Sequence, residues 1–155
     1  MTNDNTLTGS ALLLDCRLNP QNYHELAKLT RDEAQALISA LVMKAMLYRG
    51  QRQDTDTVVF VSNALLDELQ QNDAGVWAIT VEEVQYIFRA AVLHNADFYV
   101  CVASLYRVIL EFWKGPGRDI RKEAEFKRKK KQEAAAVGTF IQASAVDLND
   151  KFKTN

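Results

Sequence analysis

Residues 30–50, "TRDEAQALISALVMKAMLYRG", decide how the chain is read. Ala34, Leu37, Ile38, Leu41, Val42, Ala45 and Met46 recur at spacings of three and four, the period of one helix face. Thr30 and Glu33 stand in capping-box spacing, and Gly50 follows the last turn. An amphipathic helix of this length must bury its stripe against neighbours, so the rest of the chain has to supply matching faces.

Working outward, a shorter helix is expected from Pro20 to Lys28, with Asn19 as cap and Pro20 at the first helical position. The start, "MTNDNTLTGS", reads as polar and frayed. Residues 55–71, "TDTVVFVSNALLDELQQ", open with the strand-prone run "TVVFV", yet Val58, Val61, Leu65 and Leu69 keep a helical period, and the segment reads as one helix. After a loop, "NDAGVWAI", residues 80–93 repeat the capping box with Thr80 and Glu83, and Val81, Val84, Ile87, Phe88, Ala91 and Val92 form a buried face. "HNAD" is a turn, and residues 98–113, "FYVCVASLYRVILEFW", form the next helix, stopped by "KGPG". A polar helix follows from Arg118 to the middle 130s; residues 137–155 carry no clear assignment. No repeat appears and strands do not alternate with helices, which argues against a parallel sheet. The expectation is an all-α, compact bundle of five or six helices, with a helical core domain over residues 1–117 and a basic helix and tail over 118–155.

Composition agrees with this. The chain has 155 residues, 48% hydrophobic and 25% charged, enough for one buried core. Its formal net charge is −1, but residues 118–131 hold eight basic and three acidic side chains, so a basic arm is set against an acidic body. Cys16 and Cys101 lie among apolar residues without CxxC spacing, as expected of reduced thiols in a cytoplasmic protein. The first residues lack a basic, apolar signal pattern, and no run approaches the length of a membrane span.

Candidate chemistry is sparse. His24 and His94 lie far apart with no HxxxH or Cys/His cluster, so no metal is expected. The glycines are scattered and "GPG" lacks the Lys-Ser/Thr of a phosphate loop, so neither a nucleotide nor another cofactor is expected. The acidic pairs Asp32/Glu33, Asp67/Glu68 and Glu82/Glu83 fall at helix starts or on polar faces, where capping and solvation account for them. Cys101 and His94 lack a third, orienting group. The reading is therefore not an enzyme, with no catalytic residue named.

The basic stretch "EAEFKRKKKQEAA", residues 123–135, is the strongest functional signal. At about 100° per residue, Arg121, Lys122, Arg128 and Lys129 share one side of a helix and Lys127, Lys130 and Lys131 lie round the back. Charge that encircles a helix suits attraction to a polyanion through its field more than a fitted groove contact. Arg118, Arg121, Lys122, Lys127, Arg128, Lys129, Lys130 and Lys131 are the candidate phosphate contacts, and a solvated helix that touches nothing is the plain alternative. Most aromatics of the middle third fall at core spacing; Trp77, in a loop, and Trp113, at a helix end, are the candidates for stacking on bases.

From Ser62 to Arg118 the chain resembles a group of small helical proteins of unknown function from gut-bacterial phages and integrated elements. "LLDEL", "ITVEEVQYIFRAAV", "ADFYV", "SLYRVILEFW" and Arg118 carry the resemblance; where such proteins have Gly-x-Tyr-Gly, this chain has "HNADFYV". The resemblance implies a helical accessory protein of a mobile element, with DNA replication as one setting and a replicative helicase as a partner, in the manner of helicase loaders. A protein-binding phage structural or host-interaction subunit is the alternative.

Overall fold

The computed structural model describes the backbone of residues 8–152 and the side chains up to residue 146. Among these residues the fold is all-α, a compact helical bundle with six α-helices: α1 (Gly9–Leu18), α2 (Arg31–Tyr48), α3 (Thr55–Gln71), α4 (Val81–His94), α5 (Val102–Lys114) and α6 (Pro116–Phe152). Helices α2 to α5 form the body: α2 packs on α3 and α4, and α5 closes the ring against both. Ile38 and Val42 of α2, Leu65 and Leu69 of α3, Val84 and Phe88 of α4, and Leu105 and Ile109 of α5 meet in one core. Helix α1 lies against α4 and α6, and α6 packs on α1 and α5.

Local chemistry explains the helix ends. The Thr30 hydroxyl accepts from the Glu33 N–H at 3.2 Å while the Glu33 carboxylate accepts from the Thr30 N–H at 2.9 Å, and Thr80 with Glu83 does the same for α4. At the end of α2, Gly50 takes a φ of 66°, which lets Gln51 N–H reach the Met46 carbonyl at 2.9 Å and Gly50 N–H the Leu47 carbonyl at 3.1 Å. The strand-prone start of α3 is helical because Val58, Val61, Ser62 and Leu65 bury one face, a pattern that period two cannot produce. Pro116 ends the approach from α5 and opens α6 in the same residue, since a first-turn position needs no N–H donor.

Loops are held by side chains from other loops. Arg49 Nε donates to the Phe98 carbonyl at 2.8 Å and its guanidinium also reaches the Ala96 carbonyl. The Gln51 amide both accepts from Val100 N–H, at 2.7 Å, and donates to the Val100 carbonyl, at 3.2 Å. The turn "HNADFYV" is thus fixed by α2's exit loop, with no need of glycine.

Four expectations change, one of them at α5, which begins at Val102 and leaves residues 98–101 outside the helix. The first residues do not all fray: Gly9–Leu18 is a helix that buries Leu13 and Cys16, while residues 1–7 lie outside the described residues. The helix expected over Pro20–Lys28 is instead two 3-10 turns, Pro20–Asn22 and Leu26–Lys28, around an extended link. That link pairs antiparallel with the residues before α4, Leu26 N–H to the Ile79 carbonyl at 3.0 Å and Val81 N–H to the His24 carbonyl at 2.8 Å, and these bonds replace a helical ladder. Finally, α6 runs from Pro116 to Phe152, far beyond the middle 130s, and its first turns belong to the body. Gly117 is buried within the first turn of α6, and a Cβ there would lie 2.8 Å from the Phe112 carbonyl.

Burial predicts the energetics. Leu65→Ala removes a fully buried side chain and should cost about 2–5 kcal/mol in urea unfolding with an unchanged m-value. Phe60→Ala, on the exposed side of the same helix, should change stability by no more than about 0.5 kcal/mol.

Candidate nucleic-acid interface

The base of α6 is assembled around Trp113, the last buried residue of α5. Its ring is only 4% exposed and its indole N–H donates to the Ala74 carbonyl at 2.8 Å. The Arg121 guanidinium stacks on the ring at 3.8 Å from the centroid and donates to the Trp113 carbonyl at 2.8 Å. Arg17, from α1, approaches the same ring at 5.6 Å. It pairs with the buried carboxylate of Glu83 and donates to the Ala78 carbonyl at 3.2 Å.

Glu83 closes this network. Its Oε1 accepts from Arg17, from the Thr80 N–H and from the Thr80 hydroxyl, both of the latter at 3.0 Å. Burial pushes its carboxyl above the ordinary range, and the Arg17 charge and the Thr80 donors oppose that push. Beside it, the Cys16 thiol is pushed up to about 11 by burial, which makes it an inert core thiol. Burial and the neighbouring Arg17 charge lower Arg121 from the ordinary guanidinium range.

Beyond Ala124, the last fully buried among the described side chains of α6, the helix emerges: every residue from 125 to 143 is exposed. Of the eight candidate phosphate contacts, Arg118, Lys122, Lys127, Arg128, Lys129, Lys130 and Lys131 lie on the surface. Lys127 pairs with Glu123 at 3.5 Å and Lys129 with Glu125 at 3.3 Å, while Lys130 rests over the Phe126 ring at 4.9 Å. Arg128 reaches back to the Arg17 carbonyl and ties the basic block to α1.

Arg121 differs from the other seven. Half-buried on Trp113 and bonded to its carbonyl, it braces the α5–α6 junction and is not a free surface cation. Trp113 is likewise no stacking platform for bases, because its ring is buried and covered by a guanidinium. Trp77 sits in a 3-10 turn, Val76–Ala78, half-buried against the core. Among the described side chains of α6, the exposed aromatics are instead Phe126 and Phe140, 58% and 71% exposed. Sequence reading also missed Arg17; its signal was the lone cation closing the apolar run "ALLLDCRL", which marks an amphipathic turn.

No group of three or more His, Cys, Asp or Glu able to hold a metal gathers among the described residues, and no described helix is long and apolar enough to cross a membrane. Cys101 is engaged in capping α5, with its N–H on the Ser104 hydroxyl at 3.1 Å. Compared with protein-family models, with curated proteins and with solved structures, the chain matches none.

Arg17→Ala should reveal the pair's role. At pH 7 it leaves Glu83 charged and buried, for a loss of about 3–5 kcal/mol. Without Arg17, burial raises the Glu83 carboxyl further above the unfolded value of about 4.3, so the folded variant binds a proton that the unfolded chain does not. The stability deficit against the parent should therefore shrink as pH falls from about 7 to 5, and urea melts at both values check the sign.

Proposed function

We propose that this protein is a non-enzymatic, nucleic-acid-associated adaptor whose α6 supplies sequence-independent phosphate contacts. One observation carries the reading: seven cationic side chains stand exposed within fourteen residues of a continuous helix, and among the described residues only Lys127 and Lys129 have carboxylate partners. Those two pairs lie on the surface and are worth little, so a polyanion can displace them. The charge surrounds the helix, which favours binding through the local field and release of counterions over readout of base edges.

Further along the same helix, Val137, Phe140, Ile141 and Val146 are exposed. A helix with such residues in solvent supports a protein contact beyond the basic block, the second half of an adaptor. The resemblance over residues 62–118 supports a phage or integrated element as the setting, with DNA replication as the process and a replicative helicase as the protein partner. The same apolar residues favour the second reading, a protein-binding phage structural or host-interaction subunit that never touches nucleic acid.

Anisotropy of labelled DNA and RNA oligonucleotides from about 50 to 200 mM salt separates the two. Replacing Lys127, Lys129, Lys130 and Lys131 with Gln should weaken binding and flatten its log–log salt slope by about 0.7–0.9 for each phosphate no longer neutralised, with an unchanged circular dichroism spectrum. Equal affinity in parent and variant, or no binding at the lowest salt, would sink the adaptor reading in favour of the protein-only one.

A further inference from the structure

Where α1 and α6 meet, Arg17, Arg121 and Arg128 line a cavity of about 300 Å³, with Glu25 and Glu125 at its sides and the buried Ala124 in its wall. Its charges do not balance. Glu83 answers Arg17, Glu25 pairs with Lys28 at 3.2 Å, and Glu125 pairs with Lys129 at 3.3 Å. Arg121 and Arg128 have no carboxylate partner among the described residues, and the lining as a whole, three guanidiniums against two carboxylates, carries one net positive charge. Hydrogen bonding is incomplete as well: Arg17 Nε and Arg121 Nη1 are buried N–H groups for which the described residues supply no acceptor. A second cleft of about 300 Å³, lined by Arg128, Lys131, Gln132 and Ala135, adjoins along the same side of α6 and shares Arg128 with the first.

We propose that the cavity between α1 and α6 is a binding site for a phosphomonoester, the terminal phosphate of a nucleic-acid strand whose next phosphates run past Arg128 and Lys131. Charge and oxygen count favour the monoester: it carries about −1.5 to −2 at pH 7 and three acceptor oxygens, enough to engage Arg121 and Arg128 together, whereas a backbone diester brings a single charge. Geometry selects an oxyanion, because planar guanidinium forks present the donors that phosphate oxygens accept. The unpartnered atoms are shielded from solvent as the side chains lie, so an anion engages them by turning the guanidinium planes. Trp113, stacked under Arg121, senses that turn. The site rests on the adaptor reading only for the identity of what carries the phosphate.

The test uses the full chain with Trp77→Phe, which leaves Trp113 as its one tryptophan. Inorganic phosphate, titrated at constant ionic strength against chloride, should change Trp113 fluorescence in a saturating way, and Arg128→Gln should abolish the change while Arg128→Lys keeps part of it. In parallel, one oligonucleotide sequence carrying a 5′-phosphate, a 3′-phosphate or two hydroxyl ends is compared by anisotropy. A phosphate at one end should tighten binding about tenfold, and Arg128→Gln should erase that gain, so that the three strands bind alike, each weakened by the loss of one phosphate contact. Trp113 unmoved by phosphate, together with end groups that differ less than about twofold, overturns the proposal even where salt-steep binding persists. A saturating Trp113 response in a protein that binds no oligonucleotide keeps the cavity as a site for a small phosphomonoester and removes the adaptor reading instead.

Discussion

Arg17 and Glu83 meet across 66 positions of sequence, in a place where the carboxylate is almost fully shielded from water. Neither charge is tolerable there alone, so α1 can dock on α4 in only one register. The same guanidinium approaches Trp113, whose ring supports Arg121, and α6 departs from the body at the angle this stack permits. The N-terminal helix thus decides where the C-terminal one points.

That arrangement divides the electrostatics of α6 into two regimes. At its base, guanidiniums are desolvated, stacked and bonded to carbonyls, and their orientation is set by the protein. Past Ala124 the charges stand in water, where the attraction of any one is screened within about 8–10 Å and only their sum matters. Arg128 stands at the border, solvent-exposed yet bonded to the α1 backbone. A helix that merely kept the protein soluble would need the second regime but not the first.

How legible the fold was in the sequence follows from the range of each interaction. Capping boxes close within four residues, so Thr30 with Glu33 and Thr80 with Glu83 were readable as written. Apolar periodicity gave α2 to α5, including the strand-prone start of α3, because burial at three and four positions leaves a trace that local propensity cannot hide. The link around His24 was not readable: its backbone partners lie more than fifty residues away, and a proline after an asparagine looks the same before a helix or a 3-10 turn. The site was half legible. Seven of the eight cations were identified as surface charges from composition alone, but the diversion of Arg121 to Trp113 depends on the α5–α6 joint, and the part played by Arg17 depends on a carboxylate that reads as an ordinary cap.

The uninterrupted course of α6 has a geometric corollary. With 37 residues at 1.5 Å each, the helix spans about 55 Å, and proline occurs in it only at its first position. Each residue advances the azimuth by about 100°, so the direction in which Val137, Phe140 and Ile141 face is geared to the cavity at the base. One residue gained or lost between Arg128 and Val137 would swing that apolar edge more than a quarter-turn about the axis, whereas seven would return it nearly to its bearing. The helix behaves as a shaft as well as a spacer, and its length is open to drift only in near-whole turns.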